Sequence, residues 1–113
     1  MIKYSHGIDV GFIIERITAL REQKGVPEYK MSEDIGYSKN YITNMIKRQQ
    51  TPPVTVLLAL CDYFGVQPKD FFDRQIDNPA LLNKVMEQAR QLDDKGLNVV
   101  LTVASALNEN SEE

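Results

Sequence analysis

One stretch constrains the chain most: Glu28 to Lys47, EYKMSEDIGYSKNYITNMIK. Met31 and Ile35 stand one helical turn apart, and Ile42 and Met45 do the same further on. This spacing predicts two short helices, each with one apolar side. Ser32 is small where two crossing helices would crowd each other. Gly36 can take the left-handed conformation that stops the first helix. Ser38 is placed to cap the second by accepting a bond from a free backbone N–H.

The outward positions after that cap are Lys39, Asn40, Thr43, Asn44 and Lys47. All can donate hydrogen bonds, and none is a carboxylate. A helix clamped by its apolar side and showing donors and amides on the other suits the major groove of DNA, where base edges present distinct acceptor patterns. The surrounding charge agrees. From Gly36 to Pro53 the only formal charges are Lys39, Lys47 and Arg48.

The 113 residues fit one small domain with an appendage, and 42% apolar content is ordinary for a globular core. A net charge of −3 argues against a sequence-blind nucleic-acid coat, but what matters for DNA is the field of one face. The single cysteine, Cys61, forbids an internal disulfide and a cysteine-cluster metal site. The N-terminus lacks the apolar run of a signal peptide. No apolar run approaches the roughly 20 residues of a membrane helix. The expectation is a cytoplasmic protein with no membrane contact, no metal and no cofactor.

Before the central pair, residues 1–8 show no period and read as a loose arm. Asp9 is a candidate cap for a helix carrying Ile13, Ile17 and Leu20 inward, with Glu15, Arg16, Arg21 and Glu22 on the wet side and Gly25 ending it. Pro27 and Glu28 then open the first helix of the pair, where a missing N–H costs nothing and a carboxylate complements the dipole. After the polar loop QQTPP, Val54, Leu57, Leu58, Cys61 and Phe64 form a continuous apolar side with Leu60 beside it. Gly65 ends that helix, and PKDFFD makes a closing turn. From Arg74 the character changes. Asn78–Pro79 starts a helix with Leu81, Leu82, Val85, Met86, Ala89 and Leu92, and Asp93 or Asp94 caps another with Leu97, Val100, Leu101, Ala104 and Leu107. The tail NENSEE is polar and acidic, and residues 109–113 are expected to fray. Sustained alternation is absent, so the fold class is all-α.

At this point Gly25 to Asp73 resembles the helix-turn-helix domain of the Cro and phage-repressor type, an XRE-like family of transcription regulators. The run GVPEYKMSEDIGYSKNYITNMIKRQQTPPVTVLLALCDYFGVQPKDFF follows its layout without a gap. The resemblance implies a five-helix repressor-like DNA-binding domain over 9–74, with the motif at 28–47, followed by a two-helix extension over 75–108. It implies that the segment 38–48 reads the major groove, with the first motif helix across the backbone. Lys39, Asn40 and Asn44 then look like base readers. Ser38, Thr43, Lys47 and Arg48 look like phosphate or mixed contacts, with Gln49, Gln50 and Thr51 in the loop that approaches the backbone. Tyr37 and Tyr41 either touch sugar or a thymine methyl, or pack. Two departures stand out. Pro27–Glu28 replaces the usual Thr-Gln, and its carboxylate repels a phosphate. Ile46-Lys47-Arg48 replaces a Glu-polar-Gly run.

The apolar stripes of the extension have two readings. They complete one core by folding back, or they form a homodimer interface through Leu81, Leu82, Val85, Leu92, Leu97, Val100, Leu101, Ala104 and Leu107. A dimer would suit a short, roughly palindromic duplex site. Catalysis has no support: His6 stands alone, Cys61 reads as a buried small hydrophobe, and Glu33–Asp34 and Asp93–Asp94 point to different helix faces. The expected function is a sequence-specific DNA-binding transcriptional regulator, a repressor. The alternative is an antitoxin-like or adaptor module on the same scaffold, whose acidic extension grips a protein partner.

Overall fold

The computed structural model describes residues 4–111. The first three residues of the expected arm and the last two of the acidic tail lie outside that range. Among the described residues there are seven helices and no strand: α1 (Val10–Lys24), α2 (Glu28–Asp34), α3 (Tyr41–Lys47), α4 (Val54–Phe64), α5 (Pro68–Phe71), α6 (Pro79–Ala89) and α7 (Asp94–Ser111). The chain divides into two compact units between Ala80 and Leu81.

The first unit is built on well-marked helix ends. The Asp9 side chain accepts a 2.9 Å bond from Phe12 N–H and so starts α1. Gly25, at φ 76°, closes it with its N–H on the carbonyls of Arg21 and Glu22. The core draws Ile17 and Leu20 from α1, Met31 from α2, Ile42 and Met45 from α3, and Val56, Leu60, Cys61 and Phe64 from α4, with Val66 and Phe71 below. Each such side chain is worth about 1.5–3 kcal/mol when fully buried.

Two expectations about this unit are corrected. The buried side of α4 carries Val56 and Leu60, while Val54 is 70% and Leu58 50% exposed. VTVLLALCDYF is so apolar that two overlapping stripes are available, and packing against α1 and α5 selects the one with Val56 and Leu60. Arg16, expected on the wet side of α1, is only 7% exposed. Its guanidinium donates to the carbonyls of Phe71 (Nε, 3.0 Å), Ile76 (Nη1, 2.7 Å) and Asp73 (Nη2, 2.6 Å). A chain leaving a short helix carries carbonyls without helical partners, and one rigid planar fork satisfies three of them. Burial lowers the Arg16 pKa, against the opposing pull of Asp77 and Asp73.

A second polar network joins α1, α2 and α4. Asp34 accepts from Lys30 Nζ at 2.9 Å and from the Tyr63 hydroxyl at 2.7 Å, and Lys24 lies 4.7 Å from the centre of the Tyr63 ring. The hydrogen bonds from Lys30 and Tyr63 hold Asp34 below its usual range. Desolvation first, and Asp34 second, push Tyr63 up to about 12.

Residues 4–8, read from sequence as part of a loose arm, make a turn. Gly7 N–H bonds the Tyr4 carbonyl at 3.0 Å, and a side chain at Gly7 would collide with Arg74.

In the second unit, Asp93 starts α7. Its side chain accepts from Gly96 N–H at 2.9 Å. The helix runs to Ser111, past the Asn108 end expected from the acidic tail. Leu81, Leu82, Val85, Leu92, Leu97, Val100, Leu101, Ala104 and Leu107 are all exposed.

Candidate nucleic-acid interface

The crossing of α2 and α3 is fixed by one buried hydroxyl. Ser32 donates to the Glu28 carbonyl at 3.0 Å and accepts from Ile42 N–H at 3.2 Å. It therefore does the capping work that the sequence suggested for Ser38. Ser38 instead offers its carbonyl to Tyr41 N–H at 3.0 Å, and α3 starts at Tyr41 behind an Asn40 that makes no side-chain cap bond. The segment expected as one helix from 38 to 48 is thus a turn, Ser38 to Asn40, leading into α3. The smallness of Ser32 was visible in the sequence. Its bond to a helix ten residues on was not.

The exit from α3 is equally specific. Gln49 N–H reaches the Ile46 carbonyl at 3.0 Å and Gln50 N–H the Met45 carbonyl at 3.1 Å, with Gln49 at φ 53°. This is a left-handed helix end without glycine, a conformation that costs a side-chain-bearing residue about 1–2 kcal/mol. It turns the chain back so that Gln49, Gln50 and Thr51 face the same depression as α3. That depression, about 670 Å³, is lined by Val10, Ser38, Tyr41, Asn44, Met45, Arg48, Gln49, Gln50, Thr51 and Pro53. It brings Ser38, Asn44, Arg48, Gln49, Gln50 and Thr51 together. Lys39, Asn40, Thr43 and Lys47 lie outside it. Val10, at the start of α1, joins the lining without any signal in the sequence.

Ser38, Lys39, Asn40, Asn44, Lys47, Arg48, Gln49, Gln50 and Thr51 are all exposed, while Ile42 and Met45 are buried behind them. Asn40, Asn44 and Lys47 follow helical spacing down one side. Among the described residues no carboxylate pairs with Lys39, Lys47 or Arg48. Thr43 differs. It is half-buried, and its hydroxyl donates to Glu28 Oε2 at 3.2 Å. A carboxylate therefore borders α3 at this edge, and the Thr43 proton is directed to it. Tyr37 and Tyr41 stack on each other, ring centres 4.2 Å apart and 18° from parallel.

Together these give a buried hydrophobic backing, a fixed helix crossing and an exposed face of donors. A family model for the Cro/C1-type HTH DNA-binding domain matches residues 16–77. The chain belongs to this family. The match runs from Arg16, the clamp residue of α1, to Asp77, just past the segment that Arg16 holds. No curated protein and no solved structure matches the chain. This Cro/C1-type domain is all-helical, as its sequence predicts, and it carries the DNA-binding character of its family. Such domains are typically non-enzymatic. Among the described residues no helix is long and apolar enough to cross a membrane, and no three of His, Cys, Asp and Glu gather as a metal site. Cys61 is buried, and burial raises its pKa, which disfavours the reactive thiolate.

Proposed function

We propose that this protein is a cytoplasmic, sequence-specific transcriptional repressor that enters the major groove with the Ser38–Arg48 segment. The observation that carries the reading is the open face formed by Lys39, Asn40, Asn44, Lys47 and Arg48 over a buried Ile42 and Met45. In this reading Lys39 donates to guanine O6 and N7, and Asn40 and Asn44 pair with adenine N6 and N7. Ser38, Lys47, Arg48, Gln49, Gln50 and Thr51 hold phosphates and set the register. Thr43 joins them only if its hydroxyl leaves Glu28.

The protein acts as a homodimer on a short, roughly palindromic duplex. Half-sites one helical turn apart need two reading helices about 34–36 Å apart, and a two-fold dimer supplies that spacing. The exposed Leu81, Leu82, Val85, Leu92, Leu97, Val100, Leu101, Ala104 and Leu107 of the second unit give such a dimer its candidate interface. Occupying a site of that length excludes other proteins from it, and repression follows by occlusion.

Selection from random duplexes at two salt concentrations tests the reading. The expected result is enrichment of one short site with affinity falling steeply with salt. Asn44→Ala should cost about 1–3 kcal/mol at that site and relax one base position, whereas Lys47→Ala should weaken all sequences alike. No enrichment at low salt would defeat it. Glu28 favours a second reading, an antitoxin-like or adaptor module with secondary DNA binding, because its carboxylate borders the reading face. A stable heteromeric complex that retains no DNA would select that one.

A further inference from the structure

We infer that Tyr37 and Tyr41 are positioning residues for the reading face, their stacked rings bracing the Ser38–Asn40 turn that presents Lys39 and Asn40. The inference rests on the reading proposed above and names what holds its two leading base readers in place. It starts from how little else holds them. Among the described residues one hydrogen bond spans the turn, from Tyr41 N–H to the Ser38 carbonyl at 3.0 Å. Ser38, Lys39 and Asn40 are exposed, and among the described residues none of their side chains makes a hydrogen bond. Asn40 stands where a cap would and makes no cap bond. A side-chain cap ordinarily fixes the entry to a helix. Ordering three residues costs backbone entropy that one exposed hydrogen bond does not offset.

The aromatic pair supplies what the cap does not. The rings lie 4.2 Å apart, centre to centre, and 18° from parallel. A contact between residues four apart is ordinary inside one helix, but the chain between these two rings is a turn. The stack therefore joins the segment that ends α2 to the first residue of α3. Each ring has its own anchor. Tyr37 N–H donates to the Ser32 carbonyl of α2 at 3.0 Å. Tyr41 is half-buried, packs against the core and lines the depression beside Ser38 and Asn44.

The contact is made by the ring faces. Among the described residues neither hydroxyl bonds to the protein, so phenylalanine at position 37 should brace the turn as well as tyrosine does. Tyr37 is 41% exposed. Its removal takes away the stack and leaves the buried Ile42 and Met45 in place, which separates bracing from core filling. Asn44 lies inside α3 and is held by the helix itself. Bracing thus acts on Lys39 and Asn40 and spares Asn44. A Tyr37 that only touched the duplex would leave the free protein unchanged.

The test pairs NMR order parameters of the free full chain with affinity for the duplex that the wild type selects. In Tyr37→Ala the order parameters of the Lys39 and Asn40 amides should fall from the rigid level of about 0.85 toward about 0.6, with Asn44 unchanged. Tyr37→Phe should match the wild type. On the duplex, Tyr37→Ala should lose about two- to tenfold in affinity. Discrimination should weaken at the base positions that Lys39→Ala and Asn40→Ala relax, and hold at the one that Asn44→Ala relaxes. Salt dependence should not change, because no charge is removed. Circular dichroism checks folding; should Tyr37→Ala unfold, Tyr37→Leu, which keeps apolar bulk without a flat ring, carries the same expected losses. Equal order parameters in Tyr37→Ala and wild type would overturn the brace, as would a loss in Tyr37→Phe as large as in Tyr37→Ala. A loosened turn with discrimination intact would overturn its part in reading. A wild type that selects no duplex would defeat the proposed function instead, and the order parameters would still decide the brace.

Discussion

Helices α1 to α5 put Ile17, Leu20, Met31, Ile42, Val56, Leu60 and Phe71 almost wholly out of water, whereas α6 and α7 leave Leu81, Val85, Val99, Leu101 and Leu107 in it. Both regions have amphipathic helices of ordinary length. The difference is how the polar groups are used. In the first unit they close the structure: Arg16 on three carbonyls, Ser32 between two helices, Asp34 between Lys30 and Tyr63. In the second they mostly serve their own helix, as Asp93 and Thr102 do. A closed body that presents one donor face is what a groove reader needs. In the proposed reading the exposed apolar residues of the second unit serve assembly.

Substitutions at matched apolar residues should expose this contrast most strongly. Leu60→Ala, in the first core, should lower unfolding free energy by about 2–5 kcal/mol in denaturant titration. Leu101→Ala should change it by about 0.5 kcal/mol or less at dilutions where the chain is monomeric. Equal losses would dissolve the distinction. Next in size, Arg16→Met takes the guanidinium donor from the carbonyls of Phe71 and Ile76 and leaves that of Asp73 with Ile76 N–H alone, and should cost about 3 kcal/mol, read in the same titration. Ser32→Ala removes the acceptor for Ile42 N–H and should cost about 1 kcal/mol, with loss of amide protection at the start of α3.

The smallest effect concerns Asp34, whose exposed network tunes the first unit without closing it. Its folded pKa lies below the usual value of about 3.9. The stability it contributes is therefore present above that value and lost as pH falls through the lowered folded pKa. The difference in melting temperature between wild type and Asp34→Asn should be constant near neutrality and vanish under acid. A difference that persists at pH 2 would contradict the network.

Much of the fold was legible because local signals agreed: Asp9 before an apolar period, Gly25 and Gly65 after one, Pro79 opening another. What sequence could not show depends on distant partners. Arg16 looks like a surface arginine until the carbonyls 55–60 residues on are brought beside it. Leu58 looks buried because α4 offers two apolar stripes and only packing chooses. Of the candidate reading face, the types and order of Lys39, Asn40, Asn44 and Lys47 were plain, since Ile42 and Met45 mark the buried side of α3. The left-handed turn at Gln49 was not, because no glycine marks it. Nor was the bond that ties Thr43 to Glu28, which joins side chains 15 residues apart.

The central claim is that one face, Ser38 to Thr51, meets the duplex. Backbone amide shifts of the full chain, measured by NMR as a selected duplex is added, test it most directly. The account predicts that the largest changes fall on Lys39, Asn40, Asn44 and Lys47 to Thr51, with α6 and α7 little affected. Changes confined to α6 and α7, or none at low salt with an equimolar duplex, would contradict it.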